Sequence, residues 1–272
     1  MMTVGSIGRA TCSAALSLAL LGVAGCSDDD SGGSGQPARA GQGADPASSS
    51  ATQTQGSSAS SPVPRDGAEE SAAPVDGQAA LSATATDDTV VVLDRPRGRE
   101  THRFDNPTET GVPLTFMVVG ASHGWVEVQL PVRPNGSTGW VEEEDVDLAT
   151  IPYELRVSTT ENELTLLEDG KVVSRFDAAT GTGQTPTPTG RYYLTELIEP
   201  TNPGYGDYAY GVSAFSDVLN EFGGGPGQIG LHGTTEVDTI GESVSHGCIR
   251  LSNEDITALT TLLPLGTPIE IT

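Results

Sequence analysis

The chain has 272 residues, 37 acidic against 13 basic side chains, and a formal net charge of −24 at pH 7. Binding to nucleic acid rests on Lys and Arg neutralising phosphates, and a chain whose single lysine is Lys171 is set aside from that class. The charge is consistent with a soluble, exported protein and does not bear on fold.

Taken in chain order, the first predicted element is an apolar run, SAALSLALLGVAG, that follows Arg9 and ends at Cys26. It has signal-peptide length and is too short to span a bilayer as a mature helix. Val23-Ala24-Gly25-Cys26 resembles the lipobox of bacterial lipoproteins, which implies a leader over 1–25, loss of Cys12 with it, and a lipid on Cys26. The alternative is an ordinary secretory signal with Cys26 left unmodified or in a disulfide. Either way the chain is expected to be exported, and under the first reading it sits lipid-anchored on the extracytoplasmic face of the membrane. Residues 26–86 are Ser, Gly, Ala, Pro, Gln and Asp with almost no large apolar side chain. Such a segment cannot bury enough surface to offset its ordering entropy, so it is expected to be a disordered tether reaching on the order of 40 Å.

Over 87–150 short β-branched and aromatic runs alternate with Gly, Pro, Asn and Asp. Strands are predicted at 89–93, 114–119, 125–130 and 138–141, with Arg133-Pro-Asn-Gly136 as a turn. The Gly-Trp dipeptides at Trp125 and Trp140 resemble those of the SH3-like barrels on bacterial cell-wall enzymes; the two indoles serve either as barrel core or as a ligand groove. A second module is expected over 151–272. Strands are predicted at 153–157, 163–167, 172–176 and 191–196, with Asp169-Gly170 as the turn of a hairpin and a Pro-rich loop over 181–190. Ser252 with Asp255 three residues on starts a helix over 253–263, which Pro264 and Gly266 stop, and 268–272 closes as a strand. The fold class is mainly β: a small SH3-like module, then a β-rich module with one short helix.

Under the lipobox reading, loss of Cys12 and lipidation of Cys26 would leave Cys248 as one free thiol in an oxidising compartment, where an unpaired cysteine tends to have a role. A thiol becomes a nucleophile when a neighbouring imidazole helps to hold it as thiolate. His232 and His246 are the candidates, since His102 and His123 belong to the first module. A zinc site built from His232, His246 and Cys248 plus one more ligand is the competing chemistry, although neither CxxC nor HExxH spacing is present. An inert buried cysteine is the third reading.

His232-Gly-Thr followed by Ser245-His-Gly-Cys-Ile-Arg-Leu251 resembles the signature of the L,D-transpeptidases with a YkuD-type catalytic domain, and the match extends over about 152–272. The resemblance implies a YkuD-type β-sandwich and a peptidoglycan L,D-transpeptidase that works through a cysteinyl thioester without cofactor or metal. Its partners would be stem peptides, as donor and acceptor, and membrane lipid through Cys26. It implies Cys248 as nucleophile, His232 as base with His246 as the rival, and Gly233 orienting the imidazole through its carbonyl. Gly247 and Cys248 would supply oxyanion amides, and Arg250, Ser245, Tyr208 and Tyr210 substrate contacts, Arg250 alternatively bracing the loop. Capture of the thioester by water would give an L,D-carboxypeptidase, and a non-catalytic wall-binding lipoprotein is the remaining alternative.

Overall fold

The computed structural model describes residues 79–222 and 224–272; the expected leader, Cys26 and most of the expected tether lie outside them. The first sheet is built from β1 (Ala80–Ala85), β2 (Thr89–Leu93), β3 (Glu100–Asp105), β4 (Thr115–Ser122), β5 (Trp125–Gln129), β6 (Thr138–Glu142) and β7 (Val146–Ile151). Its order is β3-β2-β6-β5-β4-β1-β7 and every pairing is antiparallel. Residues 80–85 fall within the expected tether. They instead form β1, paired on both sides by β4 and β7, with Ala83 fully buried. The run ALSATA is too small-sided to read as a strand, yet a strand with two neighbours satisfies its backbone without large side chains. The core of this sheet is Val90, Val92, Phe116, Val126, Val128, Leu130 and Val141 with their neighbours. Trp125 is buried and Trp140 half-buried.

A second set of strands follows directly after β7. Its strands are β8 (Tyr153–Ser158), β9 (Glu163–Glu168), β10 (Lys171–Asp177), β11 (Thr180–Gly181), β12 (Gly190–Ile198), β13 (Ala209–Phe215), β14 (Gln228–Thr234), β15 (Ser243–Ser245), β16 (Ile249–Ser252) and β17 (Pro268–Ile271). Eight of them form one sheet, β10-β9-β8-β17-β12-β13-β14-β16, while β11 and β15 pair separately. The hairpin between β9 and β10 turns on Asp169 and Gly170, both at positive φ, as an Asp-Gly type I′ turn requires. Helix α1 (Asn253–Thr260) is the single α-helix among the described residues. The Ser252 hydroxyl caps it, accepting from the Asp255 amide at 3.0 Å. Ile256 and Leu259 fasten the helix to a core that also holds Leu155, Leu194, Tyr210, Leu231, Ile249 and Leu251.

The turn after β5 docks the first module on the second. Gln129 donates to the Arg191 carbonyl at 2.8 Å and accepts from the Ser213 hydroxyl at 3.0 Å. Asn135 both donates to and accepts from the Phe215 backbone at 2.8 Å, so its amide pairs with that strand as a backbone neighbour would. The Arg133 guanidinium stacks on the Phe215 ring at 5.1 Å and donates to the carbonyls of Ser216, Leu219 and Pro226. The predicted turn is thus an interface that ties down the loop between β13 and β14.

Candidate active site

The site lies on one face of four adjacent strands, and the pairing register decides what meets there. Leu231 pairs with Ile249 and His232 with Arg250 along the parallel β14 and β16. Stepping back one residue sets Gly230 beside Cys248, and the Gly230 amide donates to the Cys248 sulfur at 3.4 Å. On the other side of β14, Gly211 pairs with Gly230 and Ala209 with His232; beyond them Glu196 pairs with Gly211 and Ile198 with Ala209. Residues two apart on a strand share a face. The floor is therefore two parallel rows, Glu196-Gly211-Gly230-Cys248 and Ile198-Ala209-His232-Arg250. Above them is a cleft of about 300 Å³ whose walls include Pro200, Asn202, Tyr205 and Phe222.

A side-chain carbon placed on Gly230 would stand 3.6 Å from Cδ2 of His232 and 3.8 Å from the sulfur of Cys248. Thiol and imidazole thus face one small volume that only a glycine leaves open. Nδ1 of His232 lies 2.6 Å from the Gly233 carbonyl oxygen. A carbonyl can only accept, so Nδ1 carries the proton and the neutral ring presents the Nε2 lone pair. Burial pushes the imidazole down to about 4, against the pull of the Gly233 and Tyr205 carbonyls, and the nearby Arg250 charge adds to the fall. Burial also pushes the Cys248 thiol up, although the Gly230 amide and Arg250 favour its thiolate. At neutral pH the pair rests as neutral thiol and neutral imidazole. Such a pair can move the proton as sulfur attacks, rather than storing a thiolate in advance.

Two close approaches hold the imidazole. A side chain on Gly233 would strike the amide oxygen of Asn253 and crowd Ile256. A side chain on Gly206, at φ +67°, would meet the same oxygen and the Gly233 backbone. With both positions bare, the 3-10 turn Pro203–Tyr205 settles against β14 and lays the Tyr205 ring on His232, centroids 4.7 Å apart. The nucleophile loop is braced from within. The buried Ser245 hydroxyl donates to the Cys248 carbonyl at 2.6 Å and accepts from the Gly247 amide at 3.1 Å. Gly247 adopts φ +117°, a conformation that favours glycine. The Thr182 amide and Thr185 hydroxyl both donate to the Ser245 carbonyl, which fixes the Pro-rich loop against this turn.

The model of the L,D-transpeptidase catalytic domain, YkuD, matches residues 152–271. A protein of Bacillus subtilis strain 168 named "Putative L,D-transpeptidase YkuD" is 35% identical over 125 residues, 46% of this chain and 69% of the relative. The chain belongs to the YkuD L,D-transpeptidase family. A second protein of the same organism, named "Putative L,D-transpeptidase YqjB", is 32% identical over 128 residues, 44% of this chain and 71% of that one. Among solved structures, an L,D-transpeptidase from Mycobacterium tuberculosis H37Rv aligns over 52% of this chain and 74% of its own at 19% identity, with a TM-score of 0.38.

Against the family signature, the fold brings Cys248, His232, Gly233 and Arg250 together and places other residues elsewhere. His246 is exposed and stacked on Phe222 at 5.0 Å, and among the described residues no group of three or more His, Cys, Asp or Glu side chains is placed to hold a metal ion. Ser245, expected at the substrate, is buried with its hydroxyl committed inside the loop. Gly247, expected to offer a free oxyanion amide, has that amide bonded to Ser245, which leaves the Cys248 amide as the candidate of the two. Tyr210 falls one residue out of step with Ala209 and Gly211. Its ring therefore enters the core, where its hydroxyl donates to the Leu263 carbonyl at 3.1 Å. Tyr208 packs against that same core and its carbonyl accepts from the Gly233 amide. Arg250 donates to Glu236 at 2.8 Å, which fits the bracing alternative. Sequence reasoning missed Tyr205, Gly230 and Glu196. The clue to Tyr205 was Asn202-Pro203, a turn signal that separates it from the strand carrying Tyr208 and Tyr210.

Proposed function

We propose that the protein is a peptidoglycan L,D-transpeptidase that joins third residues of stem peptides through a thioester on Cys248. The observation that carries this reading is the neutral His232, its Nδ1 proton held by Gly233, sharing the space above Gly230 with the Cys248 thiol. As sulfur attacks the carbonyl carbon of the third residue, the thiol proton passes to Nε2 and the oxyanion turns toward the Cys248 amide. The Gly233 and Tyr205 carbonyls favour the imidazolium so formed. Collapse breaks the C–N bond to the terminal D-Ala, whose nitrogen takes the proton from Nε2. An acceptor amine then gives its proton to Nε2, attacks the thioester carbon and releases the sulfur, which recovers a proton. Water in place of the amine would make the protein an L,D-carboxypeptidase. Stem peptides are the substrates in this reading, and lipidation of Cys26 would place the enzyme on the outer face of the membrane.

The test is intact mass after incubation with a carbapenem. A covalent adduct of the drug's mass is expected on the native chain and none on Cys248→Ser; a folded native chain that forms no adduct refutes the reading. A disaccharide-tetrapeptide then separates transfer, read as dimer, from hydrolysis, read as tripeptide.

A further inference from the structure

The row that ends in the nucleophile begins in a carboxylate. Glu196, Gly211, Gly230 and Cys248 follow one another across β12, β13, β14 and β16, so the two middle positions carry no side chain and only the ends are functional. The Glu196 side chain does not stand upright on its strand. Its Cγ and Oε1 both lie 2.9 Å from where a Gly211 side chain would begin, beside the Thr195 hydroxyl at 2.6 Å, so the carboxylate lies against Gly211 in the row. Its other oxygen, Oε2, accepts from the Thr110 hydroxyl of the first module at 2.7 Å, which holds the carboxylate in place. Among the described residues no Lys, Arg or His stands within ion-pair distance of it. A carboxylate that lines the cleft, lies against its floor at Gly211 and lacks a cation is matched to a positive group on a ligand.

The spacing selects which positive group. Strands about 4.8 Å apart put a carboxylate lying over Gly211 roughly 10 Å from the sulfur of Cys248. An acceptor amine must come within about 3.5 Å of the thioester carbon to react, so it cannot at that moment be the group held by Glu196. An ammonium at the end of a four-carbon side chain, on the residue whose carbonyl is acylating the thiol, extends roughly 8 Å from the sulfur. A charge-assisted hydrogen bond of about 2.8 Å closes the remainder. We propose that Glu196 is a specificity residue that receives the side-chain ammonium of the donor's third residue, a diamino acid. This rests on the transpeptidase reading and specifies its donor. Through Thr110 the first module then contributes to donor choice by orienting the carboxylate.

The experiment uses the full chain and two synthetic tetrapeptide donors that differ only at the end of the third side chain, one ending in an ammonium and one in a methyl group. D-Ala release gives kcat/KM for each, and the ratio cancels any general loss of activity in a variant. The native protein is expected to favour the ammonium donor by about tenfold or more, the range of a charge-assisted hydrogen bond. Glu196→Gln should bring the ratio near one, and Glu196→Lys should turn the preference toward a third donor ending in a carboxylate. A native ratio near one, or a native-like ratio in Glu196→Gln, overturns the proposal alone. If the native chain gives neither D-Ala release nor a carbapenem adduct, the transpeptidase reading falls and this proposal falls with it.

Discussion

Replacing His232 by Asn tests the electrostatic account of the site, because the perturbed imidazole must leave a trace in stability as well as in rate. The ring titrates at about 4 in the folded protein and near its ordinary 6.5 when the chain unfolds. The depressed folded value means that between pH 6.5 and 4 the unfolded chain holds the extra proton. The contribution is therefore complete above pH 6.5, is lost as pH falls toward 4, and changes no further below that. At about 1.4 kcal/mol per pH unit, the gap amounts to roughly 3 kcal/mol. Urea unfolding of native protein and His232→Asn at pH 7.5 and pH 4 measures it, and titration of the carboxylates is common to both and cancels in the difference. The native protein should lose about 3 kcal/mol more than the variant over that interval. The same ring acts as base only when neutral, so carbapenem acylation should persist below pH 6 and fall off near pH 4. Parallel pH-stability curves for the two proteins, or an acylation rate that halves near pH 6.5, would refute the buried neutral imidazole.

Other expectations follow from contacts with equally definite geometry. Ser245→Ala leaves the Cys248 carbonyl and Gly247 amide without their buried partner; a loss of about 1 to 3 kcal/mol in urea unfolding is expected, with slower acylation, and unchanged values would remove Ser245 as the loop brace. Gly230→Ala adds a methyl in ordinary contact distance of its neighbours, so the protein should keep its melting temperature within a few degrees yet lose most acylation, because the methyl occupies the space shared by thiol and imidazole. Arg133→Ala removes donors to three carbonyls of the loop carrying Phe222; faster backbone hydrogen exchange confined to residues 216–227 is the expected readout, and exchange unchanged there would show that the loop stands without the first module. Ser252→Ala should cost about 1 kcal/mol in urea unfolding through loss of the α1 cap.

Elements governed by neighbours in the chain were legible in the residues themselves. The alternating runs that became β2, β5, β8, β9 and β10, the Asp169-Gly170 turn and the Ser252 cap each rest on backbone chemistry completed within a few residues. The family signature around His232 and Cys248 was likewise visible, since it is a string of residue types. Strands β1, β13 and β14 were not legible. Their sequences, ALSATA, AYGVSAF and QIGLHGT, are short of large alternating apolar residues, and Gly211 and Gly230 are bare where the cleft needs room rather than packing.

What only the tertiary structure decided is which of those residues meet. His232 and Cys248 are sixteen positions apart, and their meeting depends on the parallel register of β14 with β16. A shift of one residue in that register would turn the thiol into the core. The same two-residue period sends Tyr210 inward while Glu196 and Gly211 face the cleft, and a separate turn brings Tyr205 onto the imidazole. Residue types prescribe the chemistry available, because reactivity belongs to single side chains. Its assembly belongs to the pairing of distant strands, which depends on long-range packing and hydrogen bonding that no local run of residues contains.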